Sequence, residues 1–318
     1  MHMDEVLSSC QTIVRSAQQV RINDVALRDF ADSISEHELH QTEFATALAD
    51  FDEDQRIAFV LLFESICFSF WGTPKWTTTI DGEHFDGSAG LLRAIIYAAC
   101  RYDLFSAASL RSMSRQDFLD ICAGNVEIPL FNERLCMARE LGEYIHSSYA
   151  GSFRSFLEST NWNALEIVHR LVQDLPAVFD DAPLYNGIKV CFYKRAQLVP
   201  AKLADLFQED LLSHPIGSVD KLTGFADYKI PQLLRNLSVL NYTSELAQKI
   251  DSQTELLPAS QDEIDIRAAA IIALDMITAR VHKRIPSATA AKVDTAIFLA
   301  TQNNVSPAPY HRTRTIWY

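Results

Sequence analysis

Residues 57–70 read IAFVLLFESICFSF, an apolar run that is nearly unbroken within the segment 55–70. Strands usually take about 4–8 residues, so a run of this length predicts a buried helix. It ends at Phe70-Trp71-Gly72, where the glycine marks a change of structure. The composition agrees, because only 10 Gly and 11 Pro occur among 318 residues, fewer than a turn-rich β fold needs. We therefore predict a mainly α protein.

The chain contains no internal repeat and no low-complexity linker. Its apolar content of 48% supports a sizeable core, so we predict a single compact helical domain over residues 1–318. The threonine run in residues 75–80, followed by Asp81-Gly82, predicts a short strand and turn, and at most a small β hairpin. Residues 193–207 have a helical pattern in which Pro200 predicts a kink or a boundary.

The charge of the chain argues against nucleic acid as a partner. A net charge of −13 and a pI near 5.1 do not suit a protein that follows the backbone of DNA, since that binding needs many Lys and Arg side chains. A single phosphate needs only two or three local cations or a helix N-terminus. The longest apolar run, residues 268–274, is too short to span a bilayer, so we expect no membrane partner. Residues 1–5, MHMDE, have no basic start and no apolar signal core, which predicts a cytoplasmic protein.

Local motifs predict neither a metal nor a cofactor. The 6 cysteines never lie within four residues of one another, so their spacing fits no zinc or redox pair. His37 and His40 are three residues apart, whereas the zinc protease motif needs two histidines four apart. The absence of GxGxxG, GxxxxGK[ST] and GxSxG excludes the dinucleotide, P-loop and serine hydrolase interpretations.

Two stretches concentrate aromatic, cationic, amide and carboxylate side chains: FYKRAQ at residues 192–197 and FADYKIPQ at residues 225–232. Each runs into a helical pattern. Such a set suits a flat, polar ligand that carries a phosphate. Asp227 lies just ahead of a predicted helix start, where it is either a simple capping acid or a functional carboxylate.

These two stretches resemble the queuosine salvage proteins, hydrolases that release the base queuine from queuosine 5′-monophosphate. FSFW at residues 68–71 and the tail at residues 310–318 extend the resemblance over nearly the whole chain. Two positions depart from the family pattern. Cys67 stands where the family usually has Asn, and residues 294–299 read DTAIFL where the family has an Asp-Tyr-Tyr-Leu-Trp-Asp context, so that only the first acid matches.

The resemblance implies a fold similar to the helical DNA glycosylases and an N-glycoside hydrolase that supplies queuine for tRNA modification. It also implies a catalytic aspartate at Asp294 and a ligand-contacting histidine at His40. Because hydrolysis passes through an oxocarbenium-like sugar, we expect Asp294 to stabilise or attack that cation. Asp227 is expected to accept hydrogen bonds from the ring N–H and amino donors of the 7-deazaguanine base, and is the second candidate catalytic acid.

The remaining candidate residues bind the rest of such a substrate. Phe225 is expected to stack on the base, since aromatic faces hold nucleobases, and Tyr228 is the second aromatic residue of that stretch. Lys194, His311 and Arg312 are the available cations for the 5′-phosphate, with Lys194 preferred.

Two other functions stay open at this point. One is a non-catalytic nucleotide- or tRNA-binding helical module, against which the acidic net charge and the lack of a basic stripe argue. The other is a helical scaffold in which the two stretches only pack against each other. The expected partner is a small-molecule nucleotide, and the oligomeric state is left open.

Overall fold

The computed structural model describes residues 3–41, 45–303 and 308–318. Helices dominate this part of the chain, so the prediction of a mainly α protein is confirmed. The single domain and the likeness to DNA glycosylases stay predictions. The α-helices are α1 Asp4–Ser16, α2 Asp24–Ser33, α3 Ala45–Leu48, α4 Glu53–Ile66, α5 Gly87–Ala99, α6 Ala107–Ser112, α7 Arg115–Ile121, α8 Phe131–Ser148, α9 Phe153–Ser159, α10 Ala164–Asp174, α11 Pro176–Phe179, α12 Lys194–Gln208, α13 Lys229–Asn236, α14 Ser244–Asp251, α15 Gln261–Arg284 and α16 Ala290–Asn303. The strands are β1 Val20–Ile22, β2 Thr77–Ile80, β3 Glu83–Asp86, β4 Leu184–Tyr185, β5 Ile188–Lys189, β6 Leu240–Tyr242, β7 Glu255–Leu256 and β8 Arg312–Thr313.

The apolar run of residues 57–70 forms most of α4, and residues 57–66 are all buried. The helix begins at a capping box in which the Asp52 carboxylate accepts from the Gln55 backbone N–H and the Gln55 side chain accepts in return. On its sides lie α8, α9 and α12. Each buried Ile or Phe side chain stabilises the fold by roughly 1.5–3 kcal/mol, so α4 is a main source of core energy.

The second buried helix, α15, packs against α1, α2 and α16. Ser260 caps its start by accepting from the Glu263 backbone N–H, and residues 263–274 are all buried. In the part of the chain that the structure describes, no helix has both the length and the apolar character needed to cross a bilayer.

The strands form two-stranded ribbons. β2 and β3 pair antiparallel, and Asp81 and Gly82 between them have positive φ values of 50° and 84°, as a tight hairpin turn requires. The predicted strand and turn are therefore confirmed. β1 pairs with β6, β4 with β5, and β7 with β8 in parallel, the last of which fixes the C-terminal tail to the body.

The helix α12 continues through Pro200, so of the two predicted alternatives the boundary is wrong and the kink stays a prediction. Proline removes one backbone hydrogen bond and crowds the preceding turn. Residues on both sides of Pro200 are buried, however, and packing of this kind outweighs local helix propensity. As a result, the KRAQ part of FYKRAQ and the turns that follow it form one continuous helix beside α4.

Candidate functional site

A cavity of about 420 Å³ lies between α4, α12, α13 and α16, with the β2–β3 hairpin, the start of α5 and the C-terminal tail closing its sides. Small-molecule sites usually enclose roughly 300–1,000 Å³, so the cavity suits a ligand of mononucleotide size. Both stretches singled out in the sequence contribute side chains to it, FYKRAQ through Lys194 and FADYKIPQ through several residues.

An irregular segment, residues 222–227, supplies Phe225 and Asp227 to the cavity wall and is buried along its whole length. We call it the site segment. The Thr223 backbone N–H donates to Gln197 Oε1 at 2.9 Å, and the Phe225 N–H donates to Asp294 Oδ1 at 2.7 Å. Irregular backbone inside a protein has no sheet or helix ladder to satisfy its polar groups. Side chains from α12 and α16 therefore hold this segment in place.

Asp227 ends the site segment and lines the cavity. Its Oδ1 accepts from the Lys229 backbone N–H at 2.7 Å and from the Ile230 N–H at 2.9 Å, at the start of α13. Free donors at a helix N-terminus stabilise a carboxylate. Asp227 therefore caps the start of α13 and also lines the cavity, and its functional role stays a prediction.

Asp294 lies on α16, is only 5% exposed, and lines the same cavity. Burial raises the pKa of its carboxyl group to about 8, although the Phe225 N–H and the cations Lys194 and Lys202 act in the opposite direction. The charge of Asp227 contributes a further rise. In the ligand-free protein at neutral pH, Asp294 therefore carries a proton.

This raised pKa predicts how Asp294 affects stability. In the folded state the carboxyl group keeps its proton up to about pH 8, whereas the unfolded chain releases it near its ordinary value of 3.8. Stability must therefore fall as pH rises between these values. We expect Asp294→Asn to raise the free energy of unfolding at pH 8 by on the order of a few kcal/mol, which corresponds to a thermal unfolding temperature higher by several degrees. At pH 4 the substitution should have little effect on either quantity.

Asp265 provides the matched control for this measurement. It is 2% exposed, and burial raises its pKa to about 6. The difference between wild type and Asp265→Asn should accordingly stop growing near pH 6, while that for Asp294→Asn continues to grow to about pH 8. Equal pH dependence in the two variants would contradict the assignment.

Two buried cations face the acids from α12. Lys194 is 8% exposed and Lys202 is 5% exposed, and both line the cavity. Within residues 3–41, 45–303 and 308–318, no carboxylate lies within ion-pair distance of Lys194. A buried ammonium ion without a counterion is costly. The cavity therefore favours a ligand with an anionic group.

Aromatic side chains form another part of the wall. Phe225 is 2% exposed, and its ring borders the cavity. The Tyr228 ring lies 4.7 Å from the Tyr310 ring and 6.5 Å from the Tyr318 ring, measured between centroids. The Lys229 ammonium group sits 5.0 Å from the centre of the Tyr310 ring. These faces provide stacking surfaces for a planar base.

The structure brings five of the residues singled out in the sequence around this cavity: Asp227, Asp294, Phe225, Tyr228 and Lys194.

It does not bring His40, His311 or Arg312 to the cavity wall. His40 is exposed in a 3₁₀ turn that lies against α16. His311 is 2% exposed, its Nε2 lies 3.3 Å from the Tyr318 hydroxyl, and burial lowers its pKa to about 3, so it is neutral rather than cationic. The Arg312 guanidinium lies 5.8 Å from the centre of the Trp71 ring. Contact of these three residues with a ligand stays a prediction.

Sequence reasoning missed several residues of the wall. Lys202 had a usable signal, because Lys194, Leu198 and Lys202 follow one another at the spacing of one helix face, and all three line the cavity. The contribution of the β2–β3 hairpin to the cavity had no signal in the sequence. Its ion pair between Lys75 and Asp86, at 2.7 Å, borders the cavity only because distant parts of the chain meet there.

A buried guanidinium group lies behind the site and joins its parts. Arg267 on α15 binds both carboxylate oxygens of Asp181, at 3.1 and 2.5 Å. The same group lies 3.8 Å from the Phe192 ring centre and 4.3 Å from that of Tyr318, and donates to the Ala226 carbonyl at 3.3 Å. FYKRAQ, the site segment and the C-terminal tail are therefore fixed to one charged group.

Comparison with known proteins places these features in a family. The family model described as "Queuosine salvage protein" matches residues 48–318. The chain is 31% identical to the queuosine 5′-phosphate N-glycosylase/hydrolase of Sphaerobacter thermophilus, over 98% of this chain and 97% of that protein. It is 29% identical to the protein of the same name from Nematostella vectensis, over 89% and 85% of the two chains, and 26% identical to that of Mus musculus, over 84% and 83%.

Proposed function

This chain belongs to the queuosine salvage protein family, and from that premise we propose that it is an N-glycoside hydrolase that acts on queuosine 5′-phosphate. The reaction releases queuine, a 7-deazaguanine base, for salvage into tRNA modification. The observation that carries the proposal is the presence of two carboxyl groups in one cavity with different environments. Asp227 accepts two backbone hydrogen bonds at a helix start, whereas Asp294 is held protonated by burial. Such a pair separates the two roles that glycoside hydrolysis requires.

The different charges of Asp227 and Asp294 support a different role for each acid. Hydrolysis develops positive charge on the sugar, and an ionised carboxylate near the anomeric carbon stabilises it. The sequence-based hypothesis assigned this role to Asp294 and assigned binding of the base to Asp227. The proton on Asp294 supports the reverse assignment, with the Asp227 carboxylate at the sugar and Asp294 at the base.

A protonated Asp294 answers a specific need of the leaving group. A 7-deaza base has carbon at the position where purines are usually protonated, so its departure must be assisted elsewhere on the ring edge. As the C–N bond breaks, its electron pair moves to the base, and Asp294 donates its proton to an acceptor on that edge. Water then adds its oxygen to the anomeric carbon, and the proton that it releases restores Asp294.

The other residues hold the substrate in place. Phe225 stacks on the base and Tyr228 forms the adjoining wall. The 5′-phosphate pairs with Lys194, as proposed from the sequence, and with Lys202 two helical turns further along. The phosphate then supplies the counterion that the described part of the ligand-free protein does not provide for Lys194.

The decisive experiment is incubation of the protein with queuosine 5′-phosphate, followed by detection of free queuine by mass spectrometry. Release of queuine at a rate proportional to enzyme supports the hydrolase. Tight binding of the nucleotide without release would instead favour the non-catalytic nucleotide-binding module.

The phosphate is expected to contribute strongly to turnover. Hydrogen bonds to a charged group are worth about 1.5–3 kcal/mol each, so queuosine without its phosphate should have a kcat/KM lower by roughly tenfold to hundredfold for each bond lost. In Lys194→Met and in Lys202→Met, the ratio of kcat/KM for nucleotide over nucleoside should shrink, because each variant removes one of the two cations that bind the phosphate. Steady-state assays with both substrates measure this ratio.

Lys283→Met serves as the control, since Lys283 is exposed at the end of α15. Its ratio should match that of wild type. If nucleoside and nucleotide were turned over equally well by wild type, the pairing of these lysines with the phosphate would be wrong.

A further inference from the structure

Gln197 is the last residue of FYKRAQ and is fully buried within α12. Its Nε2 donates to the Phe192 carbonyl and to Thr223 Oγ1, both at 3.0 Å. Its Oε1 accepts from the Thr223 backbone N–H at 2.9 Å. One amide group therefore joins FYKRAQ to the site segment.

We propose that Gln197 is a positioning residue for the reaction: by fixing Thr223 it sets the place of the site segment around Phe225, and with it the Phe225 N–H that bonds Asp294. The proposal rests on the proposed hydrolase function. Gln197 does not border the cavity, so it acts through the segment and not on the substrate.

The geometry of the site segment explains why a side chain must hold it. A Cβ on Gly224 would collide with the Leu274 side chain, so the backbone is seated against α15 with no space to spare on that side. On either side of this contact the segment is held at Thr223 by Gln197 and at Ala226 by Arg267. Phe225 lies between the two anchors, and its N–H reaches Asp294.

Loss of the Gln197 anchor has a consequence that general destabilisation does not have. The Phe225 N–H stabilises the ionised form of Asp294 and so lowers its pKa against the effect of burial. The charged groups that act on Asp294 are Asp227, Lys194 and Lys202. The two lysines lie on α12, and Asp227 is fixed separately by the Lys229 and Ile230 backbone N–H groups at the start of α13. A loosened segment weakens this one hydrogen bond, so the Asp294 carboxyl group should titrate at higher pH.

The test compares wild type, Gln197→Met and Thr223→Val. Gln197→Met keeps the volume and removes the anchor, whereas Thr223→Val removes the Oγ1 interactions but keeps the backbone bond. The control is Thr160→Val, which removes an equally buried hydrogen bond, from Oγ1 to the Leu157 carbonyl, at the end of α9. Two quantities are measured: the titration of the Asp294 carboxyl carbon by NMR in the ligand-free protein, and kcat/KM for queuosine 5′-phosphate against pH.

Gln197→Met should shift the Asp294 titration to higher pH and lower kcat/KM roughly tenfold to hundredfold, as small displacements of reacting groups do. Thr223→Val should give a smaller shift in the same direction, and Thr160→Val none. An unshifted titration in both site variants, or a shift without loss of turnover, overturns the proposal. If Gln197→Met does not fold, Thr223→Val decides alone. The NMR titration needs no substrate, so a wild-type protein that failed to release queuine would refute the hydrolase function separately.

Discussion

Asp227→Asn is expected to lower kcat by roughly a hundredfold to a thousandfold, the effect of removing one well-placed electrostatic group from a transition state. The fold should survive. An asparagine Oδ1 still accepts from the Lys229 and Ile230 backbone N–H groups, and Asn is as good a helix cap as Asp. Single-turnover rates with queuosine 5′-phosphate measure the chemical step, and calorimetry should show that nucleotide binding is largely kept.

Asp52→Asn is the matched control for this variant, because Asp52 also caps a helix, α4, but lies outside the cavity. Its turnover should equal that of wild type. If Asp227→Asn kept its rate while Asp294→Asn lost it at every pH, the original assignment would be restored, with Asp294 at the sugar.

The helices that the sequence predicts well are those with long, regular patterns. Residues 57–66 form the buried part of α4 and residues 194–207 lie in α12, because a long apolar run or a helical pattern specifies a helix wherever it lies in the chain. The short ribbons β1–β6 and β7–β8 had no such signal. Each strand has only two or three residues, and its partner lies far away in sequence. Pairing of that kind is decided by tertiary packing.

In the candidate site, too, the sequence predicts some features, whereas others depend on tertiary packing. The residue types in FYKRAQ and FADYKIPQ were enough to identify the stretches that meet at the cavity. They were not enough to divide the roles of Asp227 and Asp294, since two identical side chains differ only in what surrounds them. Two backbone donors at a helix start surround one, and apolar burial surrounds the other. His311 illustrates the limit most clearly, because burial makes a residue chosen for its charge neutral.

The protonation of Asp294 has a direct kinetic consequence. Only the protonated carboxyl group can donate to the leaving base, and the fraction that is protonated declines as pH rises through the pKa of about 8. The kcat/KM of the wild-type protein reports ionisations of the free enzyme, so it should fall tenfold per pH unit above about pH 8.

Asp294→Asn should abolish this fall of kcat/KM above about pH 8, which we call the alkaline limb of the pH profile. The amide keeps an acceptor for the Phe225 N–H but has no acidic proton, so turnover at neutral pH should drop by on the order of 10²–10⁴, the usual contribution of a general acid. Rates measured from pH 6 to pH 10 distinguish the alternatives, with Asp265→Asn as a variant that should keep the limb. A variant at position 294 that retained the limb would assign it to another group. A wild-type rate that instead rose through pH 8 would show that Asp294 acts in its ionised form, and Asp227 would then have to serve the base.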